Sequence, residues 1–569
     1  GDDTITFSNN HRVSGSGGAV VVSGPPSSTI ITVHGAVFTS NSATATGGAI
    51  YSSGNAILNG ATVTGNTAFG NEGGAVHAEQ LVTITGGTFH GNQVTGTNGA
   101  GGAFSASGDV ATSQITNATF TNNSARGHGG AVRTLGLLTV TGSTFSDDSA
   151  GASGGAIAAD DTVSVTSTLF HDDTAAGSGG AIISIYASVL SQQSTYSGGT
   201  SGDNGGAISA GLGRMTSTQD TFIGNRANRY DGGAIAAAQV TTAGSAFTNN
   251  RAGRNGGAVG AASVDDSGST YAGNRAVDRG GAVDVSSAAT FMNSTFRDDS
   301  ATQGGAIYSF GPLSLTNSLF EDDTAATLGG AVVAYDTLSV NSSTFRRNIA
   351  LETGGAIFVD DTTTIVSSVF ESNEARGPSY GSNGAGGAIS SSGFTTITGS
   401  TFTTNRSEQE GGAISISEPL VLIDDTFTSN MSVNREGGAV SVAAPGTLTA
   451  TSTAFTDNAG GTDGGAVRVD GSAIITSSTF TANRTTTAGR NGGAISASGS
   501  VSVTSSGFIS NASTQWGGAI DSQGSVDITN STFDANTTAS SGGALYIDDT
   551  ASITSSTFTD DTSAQLGGA

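Results

Sequence analysis

The sequence predicts an all-β fold, a three-sided parallel β-helix in which about 22 coils of about 25 residues stack on one another. Three observations predict it. The tetrad Gly-Gly-Ala-[Ile/Val] first stands at Gly17 and occurs 22 times, at intervals of mostly 24 to 28 residues, counting the truncated copy at Gly567. A second signature, Phe-x-x-Asn, alternates with it, as at Phe38 and Asn41, Phe120 and Asn123, or Phe427 and Asn430. Between them lie period-2 runs of three to five residues rich in Val, Ile, Thr and Phe, bounded by Gly, Asn, Asp and Ser, and no window keeps a helical period.

Each element of the repeat has a reason for its place. Gly-Gly-Ala-Ile opens a short apolar strand, as at Gly411 to Ile416. The paired glycines mark a bend of unusual φ or a place where no Cβ fits between coils, and Ala fits a narrow corner. A turn follows, then an alternating strand such as Leu420 to Ile423, then the Thr-Phe pair. Three strands and three turns fit one coil. Stacked Phe rings form an interior ladder, with Tyr196 and Tyr271 replacing Phe in two coils. The turn Asn can satisfy local backbone and bond the Asn above and below it. Coils paired at about 4.8 Å would build a body on the order of 100 Å long.

One solenoid domain over residues 1–569 accounts for the whole length. The 88 glycines and 11% charged residues look like low complexity, but the period overrules disorder. A net charge of -26 disfavours nucleic acid or an anionic membrane as a general partner. Every one of the 19 basic residues is Arg, there is no Cys, and no apolar run reaches the length of a membrane span. Both termini fall within a repeat, which predicts more chain beyond them or a neighbouring subunit that continues the stack. The wide interval from 354 to 386 holds Gly377, Pro378, Ser379, Tyr380 and Gly381, an extruded loop whose Tyr380 is a candidate partner contact.

Two sets of charged residues are candidate sites. Asp147 and Asp148, Asp172 and Asp173, Asp298 and Asp299, and Asp322 and Asp323 place a double Asp where other coils have x-Asn, as do Asp560 and Asp561. Carboxylates on successive coils would lie about 5 Å apart and stay solvated, share protons or bind calcium. No other cofactor is implied. Arg226, Arg251 and Arg275 each follow the turn Asn, so they form a vertical row able to grip a carboxylate-bearing polysaccharide or an acidic subunit. The competing reading is a solvated row balanced by Asp220, Asp231 and Asp278. The six His are scattered through the first third of the chain. Asn-x-Ser/Thr sequons occur at Asn117, Asn293, Asn341, Asn405, Asn430, Asn483, Asn511, Asn530 and Asn536, several of them at the ladder position.

With both signatures in hand, the chain resembles the passenger region of chlamydial polymorphic outer-membrane proteins, and more broadly bacterial surface proteins with right-handed parallel β-helix repeats. The resemblance extends over essentially all 569 residues. It implies a right-handed helix, export to the cell surface and adhesion to host or neighbouring cells, with the motif residues structural. The expected function is therefore a non-enzymatic extracellular rod: an adhesin stalk, fibre or sheath component that contacts surface glycans or neighbouring subunits, including copies of itself end to end as a filament. It would not insert in a membrane through this segment. The alternative is a β-helix that binds or degrades polysaccharides as a lyase or hydrolase, which would need non-repeating acids and a proton acceptor in a groove.

Overall fold

A computed structural model describes residues 4–109, 112–377 and 385–568; the loop at Pro378 to Gly381, with Tyr380, lies outside the described residues. The chain forms two compact units, Gly1–Val285 and Ser286–Ala569. In both, every strand pairing is parallel and no helix occurs among the described residues. The whole makes about 21 turns of about 25 residues, the intervals enclosed by 22 Gly-Gly-Ala copies.

Most coils carry four short strands where the sequence predicts three. In one coil they are Ile414–Ile416, Leu420–Ile423, Thr426–Thr428 and Met431–Ser432. Each pairs in register with its counterpart one coil on, Ile414 with Val440, Leu420 with Leu448, Phe427 with Phe455 and Met431 with Ala459. The first two strands share a sheet, so three sheets still line each unit. The link between them, Ser417 to Pro419, has no left-handed residue and stays in one sheet, whereas the shorter links at Asp424 and Ser429, each at positive φ, turn the chain into the next sheet. In three coils of the first unit the link disappears, and single strands run over Ile208–Thr218, Ile235–Ala243 and Val259–Ser267.

The two glycines of the tetrad answer separate demands. Gly47 sits at φ +61°, in the left-handed region, and an added Cβ would lie 2.1 Å from the Ile50 carbonyl oxygen. Gly48 has no such φ; its Cβ would lie 2.2 Å from the carbonyl oxygen of Gly74, its counterpart on the next coil. The backbone N–H of Gly48 donates to that same oxygen at 3.1 Å. Coil-to-coil pairing at this corner thus excludes any side chain.

The interior is a set of ladders. Phe345, Phe370, Phe402, Phe427, Phe455, Phe480, Phe508 and Phe533 stack with centroids 4.7 to 4.9 Å apart and planes within 9°. Each is fully buried, about 1.5 to 3 kcal/mol per side chain from burial alone. Tyr196 joins the first unit's stack because its hydroxyl finds Ser191 Oγ at 2.9 Å inside the core. Beside the rings runs the amide ladder. Asn430 Nδ2 donates to Phe402 O at 2.9 Å and to Asn458 Oδ1 at 3.0 Å, and its backbone N–H donates to Asn458 Oδ1 at 3.0 Å. One side chain per coil therefore satisfies the buried backbone at the corner.

Candidate functional site

The double Asp separates into two different residues. The first member, at Asp147, Asp172, Asp298 and Asp322, lies at φ 52° to 60°, a left-handed turn that Asp tolerates better than most residues. These side chains face outward. The second member, at Asp148, Asp173, Asp299 and Asp323, is wholly buried in the amide-ladder position. The expectation of solvated turn carboxylates fails for these four, because the ladder points inward at the corner. Asp148 Oδ1 accepts from Asn123 N at 2.7 Å and Nδ2 at 2.9 Å, and Asp148 N donates to Asp173 Oδ1 at 3.0 Å. The same backbone contact joins Asp299 to Asp323 at 2.9 Å. Oδ2 of Asp148, Asp173 and Asp323 has no hydrogen-bond partner. Burial pushes the carboxyls of Asp148, Asp173 and Asp323 well above the usual range, and the neighbouring acids add to it.

The outer members are partly taken up by cations of the protein. Asp322 meets the Arg347 guanidinium through two contacts of 2.8 Å, which lower its pKa, and Arg347 also reaches Glu321 at 2.8 Å. Asp172 Oδ2 lies 3.1 Å from His171 Nε2. Asp147 accepts from Ser146 Oγ at 2.8 Å. Among the described residues no group of three or more His, Asp and Glu converges as metal ligands would. Of the eight aspartates considered as a calcium site, Asp147, Asp172, Asp298 and Asp322 lie outside and Asp148, Asp173, Asp299 and Asp323 lie buried in the ladder.

The arginine row is assembled as the spacing predicts. Arg226 pairs in register with Arg251, and Arg251 with Arg275. All three are exposed and, among the described residues, form no ion pair. The three acids expected to balance them are engaged elsewhere. Asp220 is buried and accepts from Ser194 N at 2.8 Å and Ser217 Oγ at 2.7 Å. Asp231 accepts from Asn255 N at 3.1 Å. Asp278 faces Arg254 at 3.9 Å. On the adjoining turn the charges are matched, with Arg229 at 3.5 Å from Asp203 and Arg279 at 3.4 Å from Asp284. The unbalanced positive charge is one residue wide and three coils long.

Two further clusters escape sequence reasoning. His77 Nδ1 lies 2.6 Å from Ser105 Oγ and 3.2 Å from Glu72 Oε2, and burial lowers the His77 pKa. Both partners meet one ring nitrogen, whereas a Ser–His–acid relay needs one on each, so this geometry cannot pass a proton from serine to acid. In the second unit Phe310, Tyr335 and Phe358 gather at the surface, with centroids of 5.8 Å between the first two and 6.2 Å between the last two. A shallow groove of about 480 Å³ beside them is lined by Thr290, Leu313, Ser314, Leu338 and Ser339. Tyr308, Val333 and Phe358 share one register column, a signal present in the repeat spacing, and the first two are buried beneath this cluster. Of the sequons, Asn405, Asn430, Asn483, Asn511 and Asn536 are fully buried ladder residues, while Asn117, Asn293, Asn341 and Asn530 are exposed.

Three segments, residues 35–53, 117–134 and 530–548, match the Chlamydia polymorphic membrane protein repeat. Each spans one Phe-x-x-Asn or its equivalent and the Gly-Gly-Ala that follows, so the match falls on the corner residues described above. No curated protein matches the sequence. From the matched corners and the stacked coils that they close, the chain is a parallel β-solenoid that carries the Chlamydia polymorphic membrane protein repeat.

Proposed function

We propose that the chain is an extracellular structural and adhesive element of a microbial cell surface, acting by display and contact rather than by catalysis. The observation that carries this is the division of labour within the repeat. The repeated Phe, Asn, Gly and Ala positions are consumed by the interior and the coil contacts, which leaves the outward positions, different in each coil, as the surface that meets partners. The repeat it shares with a polymorphic membrane protein family supports a place at the outer surface, and surface glycans or neighbouring subunits are the partners such faces suit. Intact cells producing the protein should lose it to added protease, and beads coated with the purified chain should adhere to cells. Full protection of the protein in intact cells would refute surface display, and bare-bead levels of attachment would refute adhesion.

A further inference from the structure

We infer that the row Arg226, Arg251 and Arg275 binds a linear acidic polysaccharide whose carboxylates or sulfates lie along the stack of coils. The inference rests on the surface reading and names the class of partner for one face.

Width and charge select the occupant. The three guanidinium groups come from residues in direct parallel register, so they recur at about 4.8 Å and span about 10 Å. Each is preceded by Gly224 and Asn225, Asn249 and Asn250, or Gly273 and Asn274, and followed by a buried Ala, so no acid lies beside it on its own strand. The next turn is matched by the Arg229–Asp203 and Arg254–Asp278 pairs, and Tyr230 there is 46% exposed. A folded protein partner needs about 800 Å² per side, far more than a row one residue wide supplies. Duplex DNA would press its dense charge against a chain of net charge -26 outside that row. A thin polyanion avoids both costs. Planar guanidinium forks suit carboxylate and sulfate oxygens, and the exposed Tyr230 is a side chain of the kind that sugars pack on.

The test uses the full chain, with heparin as a sulfated and carboxylated probe, polygalacturonate as a carboxylate probe, and a single-stranded oligothymidylate as the nucleic-acid probe. Binding is measured by fluorescence anisotropy across a salt series. The inference expects binding to heparin or polygalacturonate at low salt. The triple variant Arg226→Gln, Arg251→Gln, Arg275→Gln should weaken it about tenfold or more. Each single substitution should lower the slope of log affinity against log salt by about 1. Arg484→Gln, which removes an arginine paired with Asp457 at 2.5 Å, should leave binding unchanged and controls for total charge. The wild-type far-ultraviolet spectrum in the triple variant shows that the coils remain. No binding to either polysaccharide, equal affinity of triple variant and wild type, or tighter arginine-dependent binding of the oligothymidylate would each overturn the inference. Those outcomes leave surface display standing, because display is read on intact cells and not in this assay.

Discussion

Replacing Asp148 by Asn should stabilise the coils around it, and more so at high pH. In neighbouring coils the atom at the Oδ2 place is an amide nitrogen that donates to the Phe carbonyl one coil back, as Asn123 Nδ2 does to Phe89 O at 3.0 Å. By the same geometry Asp148→Asn would donate to Phe120 O and to Asp173 Oδ1. A neutral Asp148 can make one such donation; an ionised one makes none and lies beside Asp173, with Asp147 and Asp172 outside it. The raised carboxyl means the folded chain holds its proton to higher pH than the unfolded chain does. Stability from these acids is therefore greatest below the ordinary carboxylate range and falls as pH climbs from there through the raised folded value. A buried polar group left without a partner costs about 1 to 3 kcal/mol, so the variant should gain about that much at high pH and much less in acid. A solenoid opens locally, so the readout is hydrogen exchange by mass spectrometry of peptides within residues 119–175. Wild type and variant are compared at equal pH, about pH 5 and about pH 8. Equal protection at the higher pH, or the same gain at both, would refute a buried protonated acid.

The other predictions concern the remaining ladders. Gly48→Ala should break the corner it forms, because the new Cβ meets the Gly74 oxygen at 2.2 Å and the Thr67 carbonyl carbon at 2.6 Å; a loss of about 3 kcal/mol or more, seen as proteolysis near residues 42–76, is expected. Asn430→Leu removes the donations to Phe402 O and Asn458 Oδ1 and the acceptor used by Asn405, so the adjoining coils should lose about 2 to 4 kcal/mol in exchange protection. Arg347→Gln should let Asp322 titrate in the ordinary carboxylate range, read by carbon NMR of labelled Asp, since the guanidinium is the main cause of its lowered value.

Much of the fold was legible in the sequence because a stacked coil repeats its constraints at the same interval. The glycine pair, the Phe rings and the ladder Asn recur for reasons that act once per coil, and Arg226, Arg251 and Arg275 align because each follows that Asn. The fourth strand was not legible, since a link such as Ser417 to Pro419 looks like a turn in composition while its backbone stays within one sheet.

What the sequence by itself determined is periodicity: the parallel stack, the identity of its ladders and which residues share a column. What only the tertiary structure decided is direction. Adjacent aspartates such as Asp147 and Asp148 are equivalent in composition, yet the left-handed turn sends one to solvent and the next into the ladder. Asp220 reads as a counterion six residues before Arg226 and is instead a core acceptor for Ser194 and Ser217, which leaves the arginine row unbalanced. A repeat length states which coil a residue belongs to, but inside or outside is set by the turn angle at each corner, and that angle depends on backbone contacts with the coils above and below.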